Sequence, residues 1–360
     1  SLFTDDKLEH YGAANYLKAG LVYADEITTV SPSYAEEIQT GFYGERLDGL
    51  LRSKNNHLTG ILNGINTVEF DPSRDGLIEA AYSADDMAPK AVNKRALQEQ
   101  LGLEVRPDVP VIGIVSRLSS QKGLDLVDHV IADIMREDVQ LAVLGMGDSR
   151  YINLFSWAEQ NYPGRVAARF SMDHSLAHRI YAGSDIFLMP SQFEPCGLSQ
   201  MISLLYGTVP IVRETGGLRD TVLSYNEYTG DGNGFSFFNY NAHDMLNTIR
   251  RALAIYRDKP DVWQLLMRRG MGGDYSWKHS AQMYVSLYQC MLSPEPPKDQ
   301  QDELIEEPRE ENTPGSGDEP SARKAESKPQ TGEVPVVKAK ADDREKPEKD
   351  KGSKKGKAKK

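Results

Sequence analysis

Arg117 and Lys122 stand in Ser116-Arg-Leu-Ser-Ser-Gln-Lys-Gly123, directly after the β-branched run from Val109 to Ser116. Two fixed cations at a strand end, beside the start of the next helix, make a seat for a diphosphate. An arginine there equally serves by pairing with a surface carboxylate, and spacing leaves both readings open. Glu194 opens Glu194-Pro-Cys-Gly-Leu198 after another apolar run. A carboxylate so placed accepts from sugar hydroxyls while the backbone N–H groups of Cys196, Gly197 and Leu198 face a ligand. The competing reading is a carboxylate that caps a helix. Thr215, Gly216 and Gly217 form a second small-residue helix start, offering backbone contacts to phosphates. Gly145 in Gly145-Met-Gly147 lets backbone approach a ligand, although such a pair is often only a tight turn. Together, these anion-friendly strand ends predict a site for a sugar bearing a diphosphate.

Such a site needs a frame that brings strand ends to one edge. Short apolar runs recur at 109 to 116, 140 to 144, 165 to 170, 185 to 189, 209 to 212 and 234 to 237. Helical stretches separate most of them, for example Gly123 to Met135 and Ser175 to Ala182. This alternation predicts an α/β fold with a doubly wound parallel sheet, whose ligands bind beyond the carboxyl ends of the strands. Upstream, a helix is expected over residues 12 to 24 and a short strand at Ile27 to Ser31. A helix then opens at Ser31-Pro32-Ser33, where serine caps and proline suits the first turn. A strand is expected at Leu58 to Leu62, a loop from Asp71 to Lys90 and a helix around Asn93 to Leu101. The last helix, Ser280 to Leu292, carries Ala281, Tyr284, Leu287, Tyr288 and Met291 on one face.

Composition narrows the function classes. The net charge of −11 argues against a nucleic-acid-binding body. No apolar run approaches the ~20 residues of a membrane span, and Ser1 to Asp6 shows no signal-peptide pattern. Two cysteines, Cys196 and Cys290, give neither a disulfide framework nor metal-ligand spacing, which suits a reducing, cytoplasmic setting. No metal and no cofactor are expected. His174 and His178 read as capping and solvating a helix, Trp277 as a packing anchor, and Cys196 as a packed residue without a covalent role. After Ser293 the chain turns to Pro, Glu, Ser and Lys, with 17 acidic and 16 basic residues, and is expected to stay unfolded.

In combination the motifs resemble one family. Ser116-Arg-Leu-Ser-Ser-Gln-Lys-Gly-Leu-Asp125, Glu194-Pro-Cys-Gly-Leu-Ser-Gln200 and Arg213-Glu-Thr-Gly-Gly-Leu-Arg-Asp-Thr-Val222 are similar to the C-terminal domain of ADP-glucose-type glycogen and starch synthases. So are Asn15-Tyr-Leu-Lys-Ala-Gly20, Ala24-Asp-Glu-Ile-Thr-Thr-Val-Ser-Pro-Ser-Tyr-Ala-Glu-Glu-Ile38 and Ile61-Leu-Asn-Gly-Ile65. The resemblance covers nearly all of residues 12 to 292. It implies glycosyltransferase family 5 and the GT-B fold, with a Rossmann-like C-terminal domain. Residues 1 to 62 would then be the end of the N-terminal synthase domain, 63 to 292 the nucleotide-sugar-binding domain, and 293 to 360 a charged tail.

The implied reaction transfers glucose from ADP-glucose, as donor substrate, to the non-reducing end of an α-1,4-glucan with retained configuration. By motif, Arg117 and Lys122 would neutralise the departing diphosphate and Glu194 would hold the glucosyl hydroxyls. Cys196, Gly197, Leu198 and Gly145 would lie beside the donor, and Thr215, Gly216 and Gly217 beside its phosphates. The family's Lys-x-Gly-Gly-Leu segment is absent, so a partial chain is expected, one that binds ADP weakly and transfers little glucose. Met172, in Ser171-Met-Asp-His174, stands where the family stacks an aromatic on adenine. The competing readings are a sucrose-type or phosphorylase-type relative and a non-catalytic half-domain that binds ADP or glucan.

Overall fold

The structure, a computed structural model, describes residues 2–292. The tail from 293 to 360, expected to stay unfolded, lies outside the described residues. On the N-terminal side β1 (Glu9–His10) and β2 (Ala13–Ala14) form a short antiparallel hairpin before α1 (Tyr16–Tyr23). β3 (Ile27–Thr29), α2 (Pro32–Glu37), α3 (Asp48–Ser53) and β4 (Leu58–Gly60) follow, and β3 pairs with β4 in parallel as a separate two-stranded sheet. Ser31 caps α2 as its sequence predicts, its hydroxyl accepting from the Tyr34 N–H at 2.8 Å. No helix or strand occupies residues 61 to 89; this includes the loop expected from Asp71 except for Lys90, which opens the next helix, while the strand expected at Leu58 to Leu62 ends at Gly60.

The remainder alternates. α4 (Lys90–Leu101), β5 (Val111–Val115), α5 (Leu124–Ile134), β6 (Gln140–Leu144), α6 (Ser149–Asn161) and β7 (Val166–Arg169) form the first half. α7 (His174–Gly183), β8 (Ile186–Met189), α8 (Ser199–Leu205), β9 (Val209–Arg213), α9 (Gly216–Thr221) and β10 (Phe235–Phe237) form the second. α10 (Ala242–Asp258), α11 (Pro260–Met271) and α12 (Trp277–Leu292) complete the described chain. The strands make one all-parallel sheet in the order β10-β9-β8-β5-β6-β7. This is the doubly wound sheet that the apolar runs predict. From β5 the chain winds outward through β6 and β7, then returns to the other side of β5 for β8, β9 and β10. The reversal lies between β5 and β8, where a doubly wound sheet opens its ligand crevice.

Side-chain alternation along the strands fills both faces. Ile112, Ile114, Leu141, Val143, Ile186, Leu188 and Ile211 pack with α5, α6, α10 and α11. Val111, Ala142, Leu144 and Ala167 face Leu97, Leu176 and Ile180 of α4 and α7, and Phe187, Met189 and Val212 face α8 and α9. The N-terminal segment joins this body through α2, where Ser31 and Ser33 hydroxyls both donate at 2.5 Å to the Asp220 carboxylate at the end of α9.

Three expectations change. The helix expected over residues 12 to 24 begins only at Tyr16, Ala13–Ala14 being strand β2. Trp277 is half-exposed, so its indole is not the anchor; the fixed part is backbone, with the Ile65 N–H donating to Tyr275 O at 2.8 Å. In α12 only Ser280 is buried, so the apolar face holding Tyr288 and Met291 stays open among the described residues. No helix among the described residues is long and apolar enough to cross a membrane.

Candidate active site

The residues that follow β5 and β8 meet at the sheet's reversal. Past β5 the chain turns through Ser120–Lys122 and enters α5 at Gly123, whose φ of +72° is left-handed. A Cβ at Gly123 would also lie 1.9 Å from Pro190 O, so the two strand ends touch at backbone level only with glycine there. Lys122 is thereby brought against Glu194, with Nζ 2.5 Å from Oε2. The Ser191 hydroxyl donates to the same oxygen at 3.1 Å. Glu194 is buried at 7% exposure and Lys122 is mostly covered, so the pair is shielded from bulk water. Oε1 of Glu194 accepts from none of the described residues.

Arg117 is exposed, and its guanidinium makes no hydrogen bond or ion pair to another described residue. The surface-carboxylate reading of Arg117 therefore finds no partner here. It lines a cleft of about 620 Å³ together with Ser116, Gly145, Met146, Met172 and His174. Met172, at 93% exposure, sits on the rim of this cleft.

Gly145 answers to a different approach from the one expected. A Cβ on it would lie 1.8 Å from Ser116 O, and one on Gly147 would lie 2.0 Å from Leu118 O. The Leu118 N–H donates to Met146 O at 2.8 Å and the Asp148 N–H to Leu118 O at 2.7 Å. The glycines admit the chain's own backbone, and the resulting zipper holds the segment that carries Arg117.

The helix start at Cys196, Gly197 and Leu198 keeps its N–H groups without an acceptor among the described residues, beside Glu194. Burial, followed by the nearby Glu194 and Asp220 charges, holds the Cys196 thiol above its ordinary range despite an opposing bond from the Asn63 backbone. It stays protonated, which fits a packed residue rather than a nucleophile. The start at Thr215, Gly216 and Gly217 differs. Glu37 of α2 accepts from the Gly216 N–H at 2.9 Å and the Thr215 hydroxyl at 3.1 Å, and the Gly217 N–H donates to Glu194 O at 3.1 Å. The donors that sequence offers to phosphates are committed within the protein.

The family description "Starch synthase catalytic domain" matches residues 1–53, and "Glycosyl transferases group 1" matches residues 98–263. A glycogen synthase from Bacillus cereus is 55% identical over 290 residues, 81% of this chain and 61% of that protein. Glycogen synthase from Geobacillus thermodenitrificans is 57% identical over 293 residues, 81% of this chain and 60% of its own. The chain belongs to the glycogen/starch synthase family. The solved catalytic domain of starch synthase IV from Arabidopsis thaliana, bound to ADP and acarbose, superposes with a TM-score of 0.75 at 35% identity, covering 80% of this chain and 60% of that one. Sucrose-phosphate synthase from Thermosynechococcus elongatus, with a TM-score of 0.53 at 23% identity, shares the fold. The chain spans about 60% of the length of the curated relatives it matches.

Within this synthase-family frame, two features escape sequence reading. Glu37 stands in an unremarkable acidic pair, Glu36-Glu37, and nothing in its neighbourhood points to Gly216, far along the chain. Burial raises its carboxyl above the ordinary range, with the Gly216 and Thr215 bonds pulling the other way. His178 does not solvate a helix. It is 1% exposed, stacks on Phe70, and its Nδ1 lies 2.7 Å from Asp75 Oδ2. Capping of α7 falls instead to Asp173, which accepts from the Leu176 N–H at 2.9 Å.

Proposed function

We propose that this chain carries the donor side of an ADP-glucose-dependent α-1,4-glucan glucosyltransferase working in the bacterial cytoplasm, the activity of a glycogen synthase. The observation that carries the reading is the shielded Lys122–Glu194 pair at the sheet reversal, with the unpaired Arg117 guanidinium beside it. Arg117 binds the phosphate nearer the adenosine, and Lys122, already neutralising Glu194, shares its charge with the phosphate nearest the sugar. Glu194 Oε1 accepts a glucosyl hydroxyl, and the N–H groups at Cys196, Gly197 and Leu198 face the phosphate end of the donor. Met172 covers the adenine.

In the reaction the bond from glucosyl C1 to the ADP oxygen breaks as C1 bonds the glucan 4-hydroxyl on the same face. The hydroxyl proton passes to the leaving phosphate oxygen, so configuration is retained and no bound cofactor enters. Negative charge builds on the ADP, where the Arg117 and Lys122 cations stabilise the transition state more than the ground state. Likeness to the ADP-bound starch synthase domain supports the nucleotide, and the glycogen synthases support the polymer.

Titration calorimetry with ADP tests the site directly. Arg117→Ala should weaken ADP binding by about 10- to 100-fold, the range of one charged hydrogen-bond pair. UDP should bind less tightly than ADP. Unchanged ADP affinity in Arg117→Ala, or absence of ADP binding in the parent chain, would remove the assignment.

A further inference from the structure

Next to this cleft lies a second cluster that the transfer reaction does not use. Glu69, His174 and His178 bring one ligand atom each to within 4.8 Å of one another. His174 and His178 lie four residues apart on α7, hence on one face, and their Nε2 atoms are 3.1 Å apart. His174 Nε2 is 3.2 Å from Glu69 Oε1. Ligands about 2.0–2.1 Å from a tetrahedral metal are separated by roughly 3.3 Å, close to both distances.

Proton counting favours a cation over a plain hydrogen-bond chain. Asp75 is fixed as an acceptor: Tyr206 donates to its Oδ2 at 2.6 Å and the Leu77 N–H donates to its Oδ1 at 2.8 Å. His178 therefore carries its proton on Nδ1, which donates to Asp75, and presents a bare lone pair on Nε2. His174 Nε2 holds at most one proton, yet two acceptors, His178 Nε2 and Glu69 Oε1, compete for it. A divalent cation serves all three at once by displacing that proton. The Asp75–His178 bond is also the carboxylate support that metal-bound imidazoles usually have. On the buried side of the cluster His178 is stacked 4.8 Å from Phe70. The other side is open, His174 being 62% and Glu69 41% exposed, which leaves an entry path and a place for water.

We infer that Glu69, His174 and His178 form a binding site for a zinc-class divalent cation, with Asp75 orienting His178. Two imidazoles and one carboxylate suit Zn²⁺, Co²⁺ or Ni²⁺ and not Mg²⁺, which prefers oxygen ligands in octahedral array. Such an ion would brace the turn Ser171 to His174, one wall of the proposed nucleotide cleft, against the segment holding Glu69. The site itself does not rest on the nucleotide reading.

Metal titrations of the full 360-residue chain test it, first stripped with chelator. Zn²⁺ should bind at about one equivalent in the micromolar range, Co²⁺ should give the visible absorption of a tetrahedral site, and Mg²⁺ should not compete. Glu69→Gln and His174→Ala, both at exposed side chains, should each lose tenfold or more in Zn²⁺ affinity and abolish the Co²⁺ band. His129→Ala, at the other close histidine pair (ring centroids 5.6 Å from His243), should leave both unchanged. Zn²⁺ binding that is absent, that is indifferent to His174→Ala, or that is lost in His129→Ala overturns the site. ADP titrations of the same proteins keep the two readings apart, since loss of zinc with ADP binding retained, or the reverse, counts against only one of them.

Discussion

Lys122 and Glu194 hold one another in a place that neither tolerates alone. Each is mostly removed from water, so replacing one partner leaves the other buried and uncompensated. Lys122→Met should therefore cost about 3 kcal/mol of stability in urea unfolding as well as weaken ADP binding. Arg117→Ala should leave the urea midpoint where it is, because the exposed guanidinium makes no hydrogen bond or ion pair to another described residue. Equal loss of stability in the two variants would contradict this division between a paired, positioned cation and a free one. The types of these residues were readable from sequence. Their pairing was not, because it depends on how closely the ends of β5 and β8 approach.

At the level of elements, α2 and α9 are clamped by the bonds from Gly216 and Thr215 to Glu37 and by those from Ser31 and Ser33 to Asp220. A carboxylate at the start of a helix gains from the dipole and from the unpaired N–H groups. Glu37→Ala removes two such bonds and should cost about 1–3 kcal/mol. ADP affinity should not change, since the proposed phosphate contacts come from Arg117, Lys122 and the turn at Cys196 to Leu198. A gain in ADP affinity would mean that Glu37 holds a place a phosphate can take. Most elements were legible: the apolar runs give β5 to β10 to within a residue or two, and Ser31-Pro32 marks the start of α2. Gly216 and Gly217 were legible as a helix start but not as occupied, since the carboxylate that reaches them comes from a distant part of the chain.

For the whole molecule, Lys90 shows how the layers are tied. Its ammonium, fully buried at the head of α4, donates to Ala182 O at 2.8 Å, Tyr206 O at 3.0 Å and the Thr208 hydroxyl at 2.9 Å. It thus joins α4 to the ends of α7 and α8. Burial lowers its pKa to about 7, with Asp185 opposing the shift and Lys94 adding to it. Between about 7 and the ordinary 10.5 the folded chain binds fewer protons here than the unfolded chain, so this group's contribution to stability grows as pH rises through that window. The stability of the parent chain relative to Lys90→Met should accordingly increase from pH 7 to pH 10 in urea titrations, and a decrease would contradict it. By itself the sequence determined the parallel sheet, the strand-end edge where the candidate site lies and the residue types waiting there, because period and strand-end chemistry are local properties. Only the tertiary structure decided that Lys122 meets Glu194, that Gly145 admits its own backbone, that Glu37 occupies Gly216 and that His174 joins His178 and Glu69. Each of these is set by the distance between segments far apart in the chain, and packing alone fixes that distance.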